Sequence, residues 1–196
     1  EASGLRTIFI DPNTTASPFS TTLYAAGYGL SVTSLSGSIR DGNAGVFKSI
    51  DGGATWSTID NGIPFDVVGG IRQSHFIIAR TVVADPTSGG APAGTGPLQT
   101  LYLSGSGRIR YDVVTGAPTV LAARIYKSTD AGANWIAADA GLPVPVYDTA
   151  THRVDTVIAV PLVVDPVTPT TLYVGTSTNG YDPGHSNPLV SRGVVN

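Results

Sequence analysis

Ser49-Ile50-Asp51-Gly52-Gly53-Ala54-Thr55-Trp56 and Ser128-Thr129-Asp130-Ala131-Gly132-Ala133-Asn134-Trp135 are two copies of one pattern, S-x-D-x-G-x-[TN]-W. Each follows an apolar–aromatic–lysine step, Val46-Phe47-Lys48 in the first copy and Ile125-Tyr126-Lys127 in the second. The chemistry of the pattern is that of a tight hairpin. A strand ends at the serine, the Asp carboxylate accepts backbone N–H groups inside the turn, and glycine takes up positive φ without steric cost. The next strand opens at the tryptophan, whose ring can pack against a neighbouring sheet. A turn aspartate with glycine neighbours ordinarily caps its own backbone. Ser49, Asp51, Gly53, Trp56, Ser128, Asp130, Gly132 and Trp135 are therefore read as structural positions, in preference to catalytic or calcium-binding ones.

The repeat is longer than this pattern. Thr7-Ile8-Phe9-Ile10-Asp11-Pro12 leads to Thr22-Leu23-Tyr24, Thr81-Val82-Val83-Ala84-Asp85-Pro86 to Thr100-Leu101-Tyr102, and Pro161-Leu162-Val163-Val164-Asp165-Pro166 to Thr171-Leu172-Tyr173. Each is an apolar strand closed by Asp-Pro, a loop, and a second strand. Asp60-Asn61-Gly62-Ile63-Pro64 and Asp139-Ala140-Gly141-Leu142-Pro143 follow the two Trp motifs. The phrases order four antiparallel strands, A to D, twice over. A third A and B follow, and Arg192-Gly193-Val194-Val195-Asn196 resembles the start of a third C.

The Trp motif resembles the Asp-box, or BNR repeat, of secreted β-propellers, most like the bacterial sialidase and xyloglucanase-type repeat proteins. The resemblance implies an all-β chain of about two and a half four-stranded propeller blades. Blade 1 covers about 5–60, blade 2 about 80–139, and an incomplete blade 3 about 158–196. Propellers close with about four to eight blades. The expectation is thus a segment of a longer protein, with further blades as partners. The alternative is that neighbouring copies supply the missing sheets, which would make the chain a self-assembling extracellular structural subunit.

Composition narrows the function. With a net charge of −3 and only Lys48 and Lys127 as lysines, no basic patch exists to neutralise phosphates, so nucleic acid is not an expected partner. No apolar run approaches a membrane span. Cysteine is absent, and no phosphate loop, HExxH or Cys/His metal spacing appears, so no cofactor and no metal are expected. Secretion, or a cell-surface or periplasmic location, follows from the resemblance.

Blade topology sorts the loops. The Trp motifs are C–D turns and mark one face of the array. The long segments 27–44, 61–79, 105–123, 141–158 and 176–192 fall on the other. Loops longer than closure requires tend to carry function. That rim holds His75, Asp66, Arg108, Arg110, Tyr111, Tyr147, Asp148, His152, Arg153 and Tyr181. Arg108 and Arg110 share a strand face by period two. Tyr147-Asp148 with His152-Arg153, and Tyr181, form the other candidate groups. Aromatic and bidentate polar side chains suit a neutral polar ligand such as a glycan or cell-surface polymer.

The sialidase branch of the family uses an arginine triad, a Tyr nucleophile and a Glu partner. Glu1 is the only glutamate here, so that site is incomplete. The xyloglucanase-type branch shares the Asp-Pro, Thr-Leu-Tyr and Gly-Leu-Pro phrases and uses two carboxylates spaced for an attacking water. No residue of this chain matches its catalytic positions, so no catalytic residue is assigned. The expected role is a binding or structural module, with a fragment of a propeller glycoside hydrolase as the alternative.

Overall fold

A computed structural model describes residues 4–15, 20–27, 32–33, 39–40, 44–68, 71–90, 96–107, 109–111, 114, 118–120, 124–142, 146–148, 153–181 and 191–194. In chain order the strands are β1 (Leu5–Ile10), β2 (Leu23–Gly27), β3 (Val32–Thr33), β4 (Ile39–Arg40), β5 (Val46–Ser49) and β6 (Ser57–Thr58). They continue with β7 (Phe65–Val68), β8 (Ile71–Ser74), β9 (Phe76–Ala84), β10 (Leu101–Gly107), β11 (Ile109–Tyr111) and β12 (Pro118–Val120). The last six are β13 (Ile125–Ser128), β14 (Ile136–Ala137), β15 (Val146–Asp148), β16 (Arg153–Val164), β17 (Leu172–Tyr181) and β18 (Ser191–Val194). A single 3-10 turn, Pro12–Thr14, is the helical content of the described residues. The chain is all-β, and every strand pairing described is antiparallel.

Three sheets of four strands carry the fold: β1-β2-β5-β6, β9-β10-β13-β14 and β15-β16-β17-β18. The first two follow the A-B-C-D order of the sequence phrases. The third departs from it. Its first strand, β15, is a short arm that pairs with the early part of β16, Tyr147 opposite Val154. A, B and C are β16, β17 and β18, and no D strand is present among the described residues. β16 starts ahead of the anticipated boundary because Val154, Val157 and Ile158 extend its β-branched run. Its register with β17 slips between Ala159 and Leu162, where Pro161 offers no N–H to the ladder.

The long rim segments differ from the irregular loops expected of them. β3–β4, β7–β8 and β11–β12 are two-stranded hairpins. In β7–β8 the register runs from Phe65 opposite Ser74 to Val68 opposite Ile71. Gly69-Gly70 separates those last two, the residue pair favoured in two-residue hairpin connections.

The sheets pack side by side. Tyr24, Ala26 and Val46 of the first sheet meet Val82, Leu101, Leu103 and Tyr126 of the second in one buried cluster. Tyr102 and Ile125 of the second meet Leu162 and Val164 of the third in another. Trp135 organises the first cluster. It is 2 % exposed. Its indole N–H donates to the Ile59 carbonyl (2.7 Å), and its backbone N–H donates to Asn61 O (2.9 Å). The segment that receives it, Asp60-Asn61-Gly62-Ile63-Pro64, is the phrase to which the sequence alone gives no role. Gly62 sits at φ +89°, and a Cβ there would lie 2.2 Å from the Trp135 carbonyl oxygen. The phrase also returns to its own sheet: Asp60 Oδ2 accepts the Ala44 N–H (3.2 Å), and Asp139 Oδ2 accepts the Arg124 N–H (3.0 Å) in the second copy.

Trp56 corrects the expectation that both tryptophans are buried. It is 39 % exposed. Its indole N–H turns back to Gly53 O in its own hairpin (3.1 Å). The physical reason is that the described chain sets no linker beside it. Trp135→Ala should therefore cost about 3–5 kcal/mol, the range for a large core aromatic. Trp56→Ala should cost about 1 kcal/mol, the centre of the distribution for point substitutions. Gly62→Ala should cost more than about 1 kcal/mol, since a Cβ is strained at positive φ even before its clash. Urea unfolding midpoints check all three. Equal losses for the two tryptophans would refute the role given to the linker.

Candidate functional site

The carboxylates of the two Asp turns are bonded on both oxygens. Asp51 Oδ1 accepts the Thr55 N–H (2.9 Å) and the Ser49 hydroxyl (2.7 Å), while Oδ2 accepts the Thr55 hydroxyl. Ser49 Oγ in turn accepts the Gly53 N–H (2.9 Å). Asp130 repeats the arrangement. Its Oδ1 accepts the Asn134 N–H (2.8 Å) and the Ser128 hydroxyl (2.8 Å), and its Oδ2 accepts the Asn134 side-chain amide (2.7 Å). These bonds favour the ionised carboxylates. Hydrogen bonds from Thr55, then Ser49, bring the Asp51 pKa down to about 2. Asn134, then Ser128, lower that of Asp130 in the same way. Their lone pairs are turned inward on the hairpin, which is what a structural staple requires and a general acid or base does not.

The second turn is also an inter-sheet contact. Its Ala131 lies at φ 56°, left-handed for a residue with a Cβ, where the first turn has Gly52 at φ 70°. The Ala131 carbonyl accepts Lys48 Nζ (3.0 Å) and the Tyr24 hydroxyl (3.4 Å) from the first sheet. The ammonium also lies 5.3 Å from the centroid of the Tyr24 ring. Burial lowers the Lys48 pKa, opposed by the carboxylates of Asp11 and Asp130. Burial, with Asp11 nearby, raises that of Tyr24. Asp11 links the sheets a second time: one oxygen accepts Asn13 N–H in its own turn, and the other accepts the Leu98 N–H of the second sheet's loop (2.8 Å).

At the other ends of the strands lie the hairpins. β4 contacts β8 there. His75, between β8 and β9, places Nε2 3.1 Å from Asp66 Oδ1 of β7, both side chains largely shielded. The backbone N–H of His75 donates to Pro64 O (2.9 Å), so the chain at residue 75 is tied to the linker that receives Trp135. A carboxylate on one ring nitrogen fixes the orientation of an imidazole. The sequence puts both residues on the rim but does not pair them. The β7–β8 register, Asp66 opposite Gln73, is what brings residue 66 back towards 75.

The ligand candidates are distributed as follows. Arg108 and His152 lie outside the described residues. Arg110 and Tyr111 belong to β11, opposite Thr119 and Pro118 of β12. Tyr147 of β15 stands opposite Val154 of β16, which stands opposite Tyr181 of β17. Asp148 stands opposite Arg153 in the neighbouring row. One corner of the third sheet thus brings together Tyr147, Asp148, Arg153 and Tyr181, and Arg110 and Tyr111 occupy a separate hairpin. Successive rows of a pleated sheet belong to opposite faces. The row Tyr147–Val154–Tyr181 is therefore distinct from the row Asp148–Arg153. Among the described residues, no three His, Asp or Glu side chains stand together as a metal site.

No family model and no curated protein matches the chain. Among solved structures the chain is similar to the GH74 xyloglucanase from Xanthomonas campestris, with a TM-score of 0.41 and 18 % identity. The match covers 97 % of this chain and 30 % of that one, so this chain spans less than a third of that protein's length.

Two outcomes follow from the turns. Asp51 is depressed from 3.8 to about 2, so its stabilising effect is complete above about pH 4 and is lost as pH falls through about 2. Melting temperature should fall over that window in the wild type, less steeply in Asp51→Asn, and least in the Asp51→Asn/Asp130→Asn double variant. Circular dichroism melts at stepped pH measure this. Ala131→Gly should raise stability by about 1 kcal/mol, because glycine relieves the left-handed strain. A loss of stability on that change would remove the strain argument.

Proposed function

We propose that this chain is part of a secreted or cell-surface β-propeller of the Asp-box type, acting as a glycan-directed binding and structural module through the rim opposite the Asp turns. The observation that carries this reading is the closure of the Asp51 and Asp130 carboxylates on their own hairpins. It directs the search for a binding surface to the hairpin rim. Two tyrosines, Tyr147 and Tyr181, share one row of the third sheet there. Aromatic rings offer an apolar face with a polar tip, which suits the alternating C–H and hydroxyl surface of a sugar. The low net charge argues for a neutral saccharide over a polyanion. No helix among the described residues is long and apolar enough to cross a membrane.

A glycan array tests the reading. The wild-type chain should bind a subset of neutral oligosaccharides. Tyr147→Ala and Arg110→Ala should each weaken that binding at least about tenfold, equivalent to ~1.4 kcal/mol. Asp51→Asn should bind like the wild type at a temperature where it remains folded. Binding that is lost in Asp51→Asn and kept in the rim variants would overturn the assignment. Release of new reducing ends from a bound polysaccharide would make the chain part of a propeller glycoside hydrolase instead.

A further inference from the structure

Asn61-Gly62 is a dipeptide with a chemistry of its own, and the seat of Trp135 is built on it. A backbone nitrogen that follows asparagine can attack the side-chain amide, and glycine, with no Cβ in the way, is the residue that obstructs the attack least. Asn61 and Gly62 are the central pair of a turn closed by the Ile63 N–H on Asp60 O (3.1 Å). Both are exposed, and among the described residues the Gly62 N–H meets no acceptor. Gly62 at φ +89°, following a residue at negative φ, makes the turn type II. In such a turn the asparagine side chain and the glycine nitrogen stand apart across the Asn61 Cα–C bond. They meet only if that bond rotates.

Three contacts with the second sheet oppose the rotation. The Asn61 carbonyl accepts the Trp135 N–H (2.9 Å). Asn61 Nδ2 donates to Asn134 Oδ1, and Asn134 is itself held by its Nδ2 on Asp130 Oδ2 (2.7 Å). Gly62 lies so close to Trp135 that a Cβ would stand 2.2 Å from the Trp135 carbonyl oxygen. The second copy of the turn, Asp139-Ala140-Gly141-Leu142, keeps the backbone, with Gly141 at φ +89° and the Leu142 N–H on Asp139 O (3.1 Å). It has alanine in place of the asparagine, so the amide is not needed to build the turn.

We infer that Asn61 is a site of spontaneous deamidation gated by the seat of Trp135. Closed, the seat holds amide and nitrogen apart; opened, it lets them react. The Gly62 nitrogen gives its proton to hydroxide and bonds to Asn61 Cγ. The Cγ–Nδ2 bond breaks, and the amide nitrogen leaves as ammonia with a proton from water. The five-membered imide then adds water at either carbonyl and opens to aspartate or isoaspartate, so that one water is consumed for each ammonia released. Isoaspartate carries the main chain through its side-chain carbons. That adds an atom between Asp60 and Gly62 and moves the carbonyl that receives the Trp135 N–H. Aspartate turns a carboxylate oxygen, where a donor stood, towards Asn134 Oδ1. Either product weakens the seat, and the inference is independent of the glycan assignment.

Peptide mass spectrometry after incubation of the whole chain in mildly alkaline buffer is the experiment, with isoaspartate resolved by chromatography. Asn179-Gly180 of β17 is the internal reference, since Trp135 does not touch it through any described bond. In the native wild type Asn61 should react at least about tenfold more slowly than in the chain unfolded in guanidinium chloride, as a site that reacts only from an opened state does. Asn134→Ala frees the amide and should speed the reaction at Asn61 several-fold while leaving Asn179 unchanged, which separates local opening from unfolding. Asn61→Asp, one of the two products, should melt below Asn61→Ala, which copies the turn at Ala140. An Asn61 that stays intact in the unfolded chain, or that reacts as fast in the native chain as in the unfolded one, would overturn the inference. So would an Asn134→Ala chain in which the two asparagines change alike, or equal melting of Asn61→Asp and Asn61→Ala.

Discussion

Trp135, whose indole N–H donates to Ile59 O and whose backbone N–H donates to Asn61 O, sets the relation between the first and second sheets. The motif that closes a hairpin in one sheet is seated on the linker leaving the previous one. Several other features serve that seat. Gly62 keeps the linker free of a Cβ where Trp135 approaches. Asp60 ties the same linker to the start of its own C strand. Lys48 and Tyr24 reach across to the carbonyl of Ala131 within the seated turn. A strained Ala131 and a half-buried lysine are the costs of that seat, and both lie where the sheets meet.

The same arrangement explains why the aspartates that advertise the fold contribute little chemistry. A carboxylate that accepts bonds on both oxygens from its own hairpin has its proton affinity set by that hairpin. At the far ends of the strands the connections are free to lengthen. They have lengthened into paired strands, and the backbone N–H of His75 ties one of them to Pro64 of the linker. Backbone groups that a bare loop would leave to water are satisfied within the hairpins.

The A and B strands, the C strands and the Asp turns were legible because each carries a local signal: Asp-Pro, Thr-Leu-Tyr, or the Ser-x-Asp-x-Gly-x-x-Trp pattern. The exposure of Trp56 was not, because burial of that ring depends on a neighbour and not on its own turn. Identical motifs give 2 % exposure in one copy and 39 % in the other. The role of Asp-x-Gly-[Ile/Leu]-Pro was hidden for the same reason, since its partner is dozens of residues away. The rim hairpins were hidden by their short strands, although Gly69-Gly70 was a usable sign.

The split of each interface between two neighbouring units has a bearing on descent. Every unit carries a complete receiving face and a complete presenting face, encoded within one contiguous stretch. Duplicating or losing a whole stretch by recombination leaves matching faces in contact, with no compensating substitution required. Stability that depends on nearest neighbours permits such changes in repeat number. Two proteins alike in every unit can therefore differ in how many they string together.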